Sequence, residues 1–176
     1  IDIAGSRLNK QVENLLNMSR LETGTLALKK DWCDVNELIF RSMSSVPGQE
    51  GHKILFEPDD KAPLFKIDEG LMEMVLYGII SNAVRYTPPG SEVRIEVGFD
   101  DDQLHLTISD NGKGIPEARR EQVFEKFYRM PDSGTGGTGL GLSIARGIVE
   151  AHGGVIRPGS SAAGGAARRR VQRRAG

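Results

Sequence analysis

Asn82-Ala83-Val84-Arg85-Tyr86, then Asp110-Asn111-Gly112-Lys113-Gly114-Ile115-Pro116, then Gly137-Thr138-Gly139-Leu140-Gly141-Leu142 are the segments from which this chain is read. The first offers an amide oxygen and a cation, the second a carboxylate beside bare backbone, and the third a glycine turn that opens a helix. Those are the parts needed to hold a metal, a purine edge and a polyphosphate. Any one alone is a weak signal, because glycine turns are common. The three in this order read as a nucleotide site.

The surrounding pattern says which elements carry them. Leu71, Met72, Val75, Leu76, Ile79, Ile80 and Ala83 recur at helical spacing after Asp68, so that face is core. Asn82 and Arg85 lie at the far end of the same helix, off the apolar stripe, and Thr87-Pro88-Pro89-Gly90 ends it. Val93, Ile95, Val97 and Phe99 alternate with polar residues, as do Leu104, Leu106 and Ile108, with Asp100-Asp101-Asp102 between them. That is an antiparallel hairpin, and Asp110 closes its second strand. Residues 116–124 read as a short helix, 131–138 as a mobile glycine- and serine-rich loop, and 140–151 as an amphipathic helix.

Upstream, Leu26, Leu28 and Trp32 suggest a strand. Asp34-Val35-Asn36-Glu37 resembles a capping box opening a helix through Leu38, Ile39 and Met43 to about Pro47. Residues 52–57 and 62–67 read as further strands. The fold class expected is α/β, a two-layer sandwich of a mixed, mostly antiparallel sheet covered on one face by helices.

Residues 2–22 carry Leu8, Val12, Leu15, Leu16 and Leu21 on one helical stripe, and Gly24 stops that helix as a C-terminal cap. A lone helix of this length is marginal in water, so the stripe must face something. Packing on the domain's own core and a helical dimer seam both fit.

Composition narrows the class. With 38% hydrophobic and 27% charged residues, the chain of 176 residues can bury an ordinary globular core. A net charge of −1 gives no global pull toward nucleic acid or acidic lipid, so nucleic acid is not an expected partner. Cys33 is the only cysteine, which excludes an internal disulfide and a multi-cysteine metal site. No apolar run reaches the roughly 18–20 residues a membrane span needs.

Each segment has a plain structural reading beside its chemical one. Asn82 suits a surface amide, but Asn82, Arg85 and Tyr86 share one turn and its exit. There a hard oxygen suits Mg²⁺, a guanidinium suits phosphate, and a phenol ring can flank a base. Asp110 with Gly112 and Gly114 makes a tight turn, and equally a pocket that accepts an exocyclic amine while backbone approaches a flat ring. Residues 137–141 open a helix, where free N–H groups and the positive helix end bind phosphate. A Walker pattern is excluded because its lysine is absent, and a dinucleotide fingerprint because no βαβ unit precedes the turn.

On those residues, the stretch from about residue 31 to 154 resembles the catalytic ATP-binding domain of sensor histidine kinases, within the group shared with DNA gyrase, Hsp90 and MutL. The resemblance implies ATP and Mg²⁺ as cofactors. Asn82 matches the Mg²⁺-binding asparagine of the N box, with Arg85 on phosphate and Tyr86 on the pocket wall. Asp110, Gly112, Gly114 and Ile115 match the G1 box, whose aspartate reads adenine. Residues 124–129 resemble the F box, which would bring Phe127 and Arg129 to the nucleotide; read alone, Phe124 and Phe127 are core anchors of a turn. Thr138, Gly139, Leu140, Gly141 and Leu142 match the G2 box, and residues 130–138 the ATP lid.

Ser19-Arg20-Leu21-Glu22-Thr23-Gly24 is similar to the end of the family's dimerisation helix, favouring the seam. The implied organisation is residues 1–24 as the end of that helix, 25–157 as the ATP-binding domain and 158–176 as an unstructured arginine-rich tail. The pattern from Val35 onward resembles the potassium-responsive, KdpD-like branch. A response regulator and a homodimeric whole protein follow from the resemblance. It also implies a cytoplasmic fragment of a membrane-anchored protein.

Three departures matter. No histidine is followed by an acidic residue and proline, so the phosphoacceptor motif is missing; His52, His105 and His152 lie elsewhere. Gly78 stands one turn before Asn82, where hydrolysing relatives place a glutamate base and kinases another asparagine. Glycine neither abstracts a proton nor ligates metal, which predicts poor hydrolysis and weakened Mg²⁺ handling. After Val155-Ile156 the family's final strand gives way to Pro158-Gly159-Ser160-Ser161 and arginines. A solvated tail, a basic arm and an altered end all fit, and an unprotected sheet edge is expected. Two other classes stand beside the kinase reading, a stand-alone ATP hydrolase and a nucleotide-binding regulatory module without chemistry.

Overall fold

Asp68 joins three parts of the chain. Its Oδ1 accepts from the Leu71 N–H at 3.1 Å and its Oδ2 from the Lys29 N–H at 2.8 Å, while its own N–H donates to His152 Nε2 at 3.0 Å. The computed structural model describes residues 3–100, 103–131 and 137–159. In chain order these form α1 (Ile3–Glu22), β1 (Asp31–Cys33), α2 (Val35–Ser44), β2 (Lys53–Phe56), β3 (Phe65–Ile67), α3 (Glu69–Arg85), β4 (Glu92–Asp100), β5 (Gln103–Asp110) and α4 (Gly141–Ala151).

The strands make one sheet in the order β2-β4-β5 and a separate ribbon of β1 and β3. β2 runs parallel to β4, and β4 antiparallel to β5 with Ile95 opposite Ile108 and Val93 opposite Asp110. Val93, Ile95, Leu104, Leu106 and Ile108 are buried, and so are Met72, Val75, Leu76, Ile79 and Ile80 of α3 and Ile144 and Ile148 of α4. Arg94 and Glu96, pointing the other way from β4, are exposed. This is the two-layer α/β arrangement, with helices on one sheet face and the alternation of β4 and β5 setting which side is core.

Aspartates start two of the helices. Asp34 Oδ1 accepts from the N–H groups of Asn36 at 2.9 Å and Glu37 at 3.3 Å, and Asp68 does the same service for α3. Each such cap is worth about 1 kcal/mol. α1 ends in a Schellman motif, with the Gly24 N–H on Leu21 O and the Thr25 N–H on Arg20 O.

α1 docks on the domain by the face opposite Leu8, Val12, Leu15 and Leu16. Asn17 is buried with its amide 3.5 Å from Met74 Sδ, the Lys10 ammonium lies over the Tyr77 ring, and Leu21 seats on Gly147. A Cβ built on Gly147 would stand 2.7 Å from Leu21 Cδ1, so glycine makes that seat. Lys126 and Glu22 close the contact with an ion pair. Leu8, Val12, Leu15 and Leu16 remain exposed, Leu8 at 60%, so the stripe other than Leu21 does not pack on the domain's core.

Other expectations are corrected. Strand structure around Trp32 covers only Asp31–Cys33, because the Lys29 N–H is taken by the Asp68 carboxylate rather than a ladder. Residues 116–124 are two 3-10 turns, Glu117–Arg119 and Gln122–Phe124, with no side-chain cap to start an α-helix. Phe124 is buried as an anchor, whereas Phe127 is 67% exposed and anchors nothing by its ring. No strand forms over 154–159, although Ile156 is buried, and among the described residues β5 pairs with β4 alone. Asp101 and Asp102 of the expected turn and residues 160–176 of the expected tail lie outside the described residues. No described helix is long and apolar enough to cross a membrane.

His152 is 4% exposed, and its bonds fix its tautomer. Nδ1 lies 2.8 Å from Ile148 O and must donate, and Nε2 accepts from the Asp68 N–H. His152→Phe keeps a ring in place but leaves the buried Asp68 N–H without its acceptor, while Ile148 O keeps the bond from the residue 152 backbone N–H. Urea unfolding should show a loss of about 2 kcal/mol; unchanged stability would mean that the pair contributes nothing.

Candidate functional site

The last two turns of α3 gather the three segments. A Cβ built on Gly78 would lie 3.9 Å from Gly141 O, and one on Gly137 only 2.6 Å from Arg85 Nη1 and 3.8 Å from the Tyr86 hydroxyl. Residues 78, 82 and 85 follow helical spacing along one face. Asn82 therefore sits between two points that meet residues 137–141, half-buried and on the same row. Ile79, Ile80, Ala83 and Val84 face the core, which fixes the rotation of the helix.

The exit of α3 meets the end of β5. A Cβ on Gly112 would stand 2.7 Å from Thr87 Cγ2 and 2.8 Å from Asp110 Oδ1, closer than any real side chain sits. Asp110 is half-buried, and its Oδ1 accepts from the Gly112 N–H at 2.9 Å. Thr87 is held in turn, its hydroxyl donating to Ala83 O at 2.7 Å and lying 3.1 Å from His52 Nε2. The carboxylate is thus pinned against the end of the helix that carries Asn82 and Arg85.

The third segment brings an open helix end. α4 begins after Leu140, which has no side-chain acceptor, and no acidic residue stands in its first turn. The first helical bond is Ile144 N–H to Leu140 O, leaving the N–H groups of Gly141, Leu142 and Ser143 without a partner within the helix. α2 and α3 are both capped by aspartate, so α4 differs in the feature that attracts an anion. Leu140 is buried and Leu142 packs on the core, so these two contribute backbone to the turn rather than side chain. Thr138 Oγ1 lies 3.4 Å from the Leu140 N–H.

Beneath that turn the chain crosses itself. Gly139 has φ +71°, and a Cβ there would lie 2.6 Å from Phe127 C and 2.8 Å from its Cα. The Phe127 N–H donates to Gly139 O at 3.0 Å, with Phe127 at φ +62°. An aromatic residue held in that region carries roughly 1–2 kcal/mol of strain.

The remaining expected residues divide. Gly114 and Ile115 follow Asp110 half-buried, with Ile115 against the core, and Arg129 is exposed two residues beyond Phe127. Of the expected lid, residues 132–136 lie outside the described residues. Thr87 was not singled out in the sequence, where it reads as the start of the turn Thr87-Pro88-Pro89-Gly90; its only signal was adjacency to Tyr86. Among the described residues no group of three or more His, Cys, Asp or Glu could hold a metal. A single amide suits an ion that draws most of its shell from phosphate and water, which Mg²⁺ does. Cys33 takes no part, because burial and then Glu69 push its thiol up to about 11. A cleft of about 510 Å³ lies where α1 meets α4, lined by Met18, Leu21, Phe124, Lys126, Arg146 and Glu150 among others, and includes no residue of the three segments.

Residues 67–171 match the family described as histidine kinase-, DNA gyrase B-, and HSP90-like ATPase, and the chain belongs to it. It is a histidine-kinase-type ATPase domain, homologous to sensor kinases that include KdpD. The sensor protein KdpD of Escherichia coli strain K12 is 34% identical over 156 residues, covering 88% of this chain and 17% of that protein. The sensor histidine kinase WalK of Bacillus subtilis strain 168 is 35% identical over 158 residues, covering 85% and 26%. The chain therefore spans about a quarter or less of the length of these curated relatives.

Among solved structures, the mycobacterial sensor histidine kinase MprB superposes with a TM-score of 0.68 at 27% identity, over 82% of this chain and all of that one. ShkA, solved full-length in complex with AMPPNP, gives 0.77 at 25% identity, over 97% of this chain and 36% of that one.

Gly112→Ala tests the joint between α3 and β5. The added methyl must push Thr87 or Asp110 away, and denaturant unfolding should show a loss of about 1–3 kcal/mol. A stability equal to that of the parent chain would mean the two elements are not in this contact.

Proposed function

We propose that this chain is the catalytic ATP-binding module of a two-component sensor histidine kinase. It would bind Mg-ATP and present the γ-phosphoryl group to a histidine on a helical dimerisation domain, from which the group passes to an aspartate of a response regulator. The single observation that carries this reading is the convergence on the end of α3: an uncapped helix N-terminus and Arg85 on one side, Asp110 on the other.

In this reading Asp110 accepts from the exocyclic amine of adenine, and Gly112 and Gly114 let the backbone approach the ring. Guanine presents a carbonyl at that edge and is rejected. Tyr86 and Ile115 flank the base. The Gly139, Leu140 and Gly141 backbone, the Leu142 N–H and Thr138 hold phosphate, with Arg85 and Arg129 supplying charge. Asn82 offers one oxygen ligand to Mg²⁺. When bound, that ion would supply charge neutralisation at the phosphates; the protein's own share is positioning and charge. The complex of ShkA with AMPPNP supports the ligand class.

A hydrolase is less well supported, because Gly78 offers no base to activate water. Packing does not require that glycine, since a Cβ would meet only an ordinary contact. Residues 1–24 are proposed as the end of a dimerisation helix, with exposed Leu8, Val12, Leu15 and Leu16 forming the seam, and 25–157 as the ATP-binding domain. The whole protein is proposed to be a membrane-anchored homodimer with this part in the cytoplasm.

Two measurements test the proposal. Calorimetric titration should show ATP binding that strengthens with Mg²⁺, and Asp110→Asn should weaken it at least tenfold, by roughly 1.4 kcal/mol or more. Unchanged affinity in that variant removes the adenine assignment. Separately, this chain with γ-labelled ATP and an added histidine-bearing helical domain should label the histidine in an acid-labile form. An unlabelled domain, with ATP binding intact, would favour a nucleotide-binding regulator over a kinase.

A further inference from the structure

We propose that Phe127 is a positioning residue for the phosphate end of this site, and that it acts through its backbone rather than its ring. The inference rests on the nucleotide reading above and assigns Phe127 a task distinct from ligand contact. Phe127 is the one non-glycine residue with positive φ among those described, and its ring is 67% exposed. Burial of the ring therefore does not compensate for the strained backbone. What the strained conformation does secure is a crossing.

The Tyr128 N–H donates to Glu125 O at 3.3 Å, closing a four-residue turn. Its third position, Phe127, has φ +62° while Lys126 does not have positive φ, so the turn is type II. That turn ordinarily places glycine or asparagine where this chain has phenylalanine. Both flanks are tied down: Phe124 is buried with the Arg146 guanidinium over its ring, and Lys126 pairs with Glu22 of α1. Held this way, the Phe127 N–H meets Gly139 O at 3.0 Å, and the two backbones touch so closely that a Cβ on Gly139 has no room.

The consequence is polarity. In a trans peptide the carbonyl and the next N–H point opposite ways. Drawing Gly139 O toward Phe127 turns the Leu140 N–H to the other side, where Thr138 Oγ1 accepts it at 3.4 Å, and the N–H groups of Gly141 and Leu142 that follow it in the chain have no partner within the helix. Were the peptide to flip, it would present an oxygen to phosphate and repel it. Phe127 thus keeps the turn a donor surface.

The test separates phosphate from adenine recognition. ATP and adenosine affinities are measured by calorimetry on this chain, Phe127→Val and Phe127→Gly. Valine resists positive φ, and glycine adopts it freely while lacking the ring. Phe127→Val should lose about tenfold in ATP affinity with adenosine affinity within twofold, and Phe127→Gly should recover most of the ATP affinity. Equal loss in both variants would assign the role to the ring and overturn the inference, as would ATP binding at the parent level in Phe127→Val. A parallel loss of adenosine affinity would reduce Phe127 to a structural role and overturn it too. Failure of the parent chain to bind ATP, or unchanged binding in Asp110→Asn, would instead sink the nucleotide reading and this inference with it.

Discussion

Close approach of backbone to the end of α3 is the constraint on which the candidate site depends. Gly112 lets the end of β5 touch Thr87 and Gly137 lets the chain touch Arg85, while the start of α4 lies by Gly78 at an ordinary contact distance. One helix thereby becomes the common wall for residues far apart in the chain. Its rotation is not adjustable, because Ile79, Ile80, Ala83 and Val84 are locked in the core while Asn82 and Arg85 face outward. Packing of the apolar stripe and presentation of the polar row are the same event. A site built on a rigid element in this way needs few bonds of its own.

The capping pattern extends that logic. α2 and α3 each spend an aspartate on their first N–H groups, which stabilises them and closes their N-termini to anions. α4 begins after a buried leucine. Its anchor is apolar, so its N-terminal donors stay available while its position is still fixed. Asp68 and His152 complete the frame by tying the start of α3 to the end of α4, while the start of α4 lies by Gly78 of α3.

The α/β class, the hairpin of β4 and β5 and the core of α3 could be read from period and alternation, because burial leaves a strong imprint on residue type. The short elements could not. Leu26 and Leu28 look like strand residues, yet a single carboxylate competing for the Lys29 N–H keeps that stretch out of any ladder. Residues 116–124 have helical composition but lack a cap, and form 3-10 turns. At the site, the residue types at Asn82, Arg85 and Asp110 suggested a chemistry, and the structure sets their elements together. Thr87 and the backbone of Phe127 were invisible, since one acts by a methyl contact and the other by a dihedral angle. α1 left two readings open for a different reason. An apolar stripe states that something must be covered, and only the buried Asn17 and the seating of Leu21 apart from the other four apolar residues reveal which side the domain takes.

α4 serves two neighbours along its length. Its first residue, Gly141, lies by the Gly78 turn of α3, and six residues on Gly147 receives Leu21 of α1. At a rise of about 1.5 Å per residue the two stations are roughly 9 Å apart on one stiff rod. Because Ile144, Ile148 and Val149 hold that rod in the core between the two stations, a load at the Leu21 seat is carried along it toward the end that bears the uncapped donors.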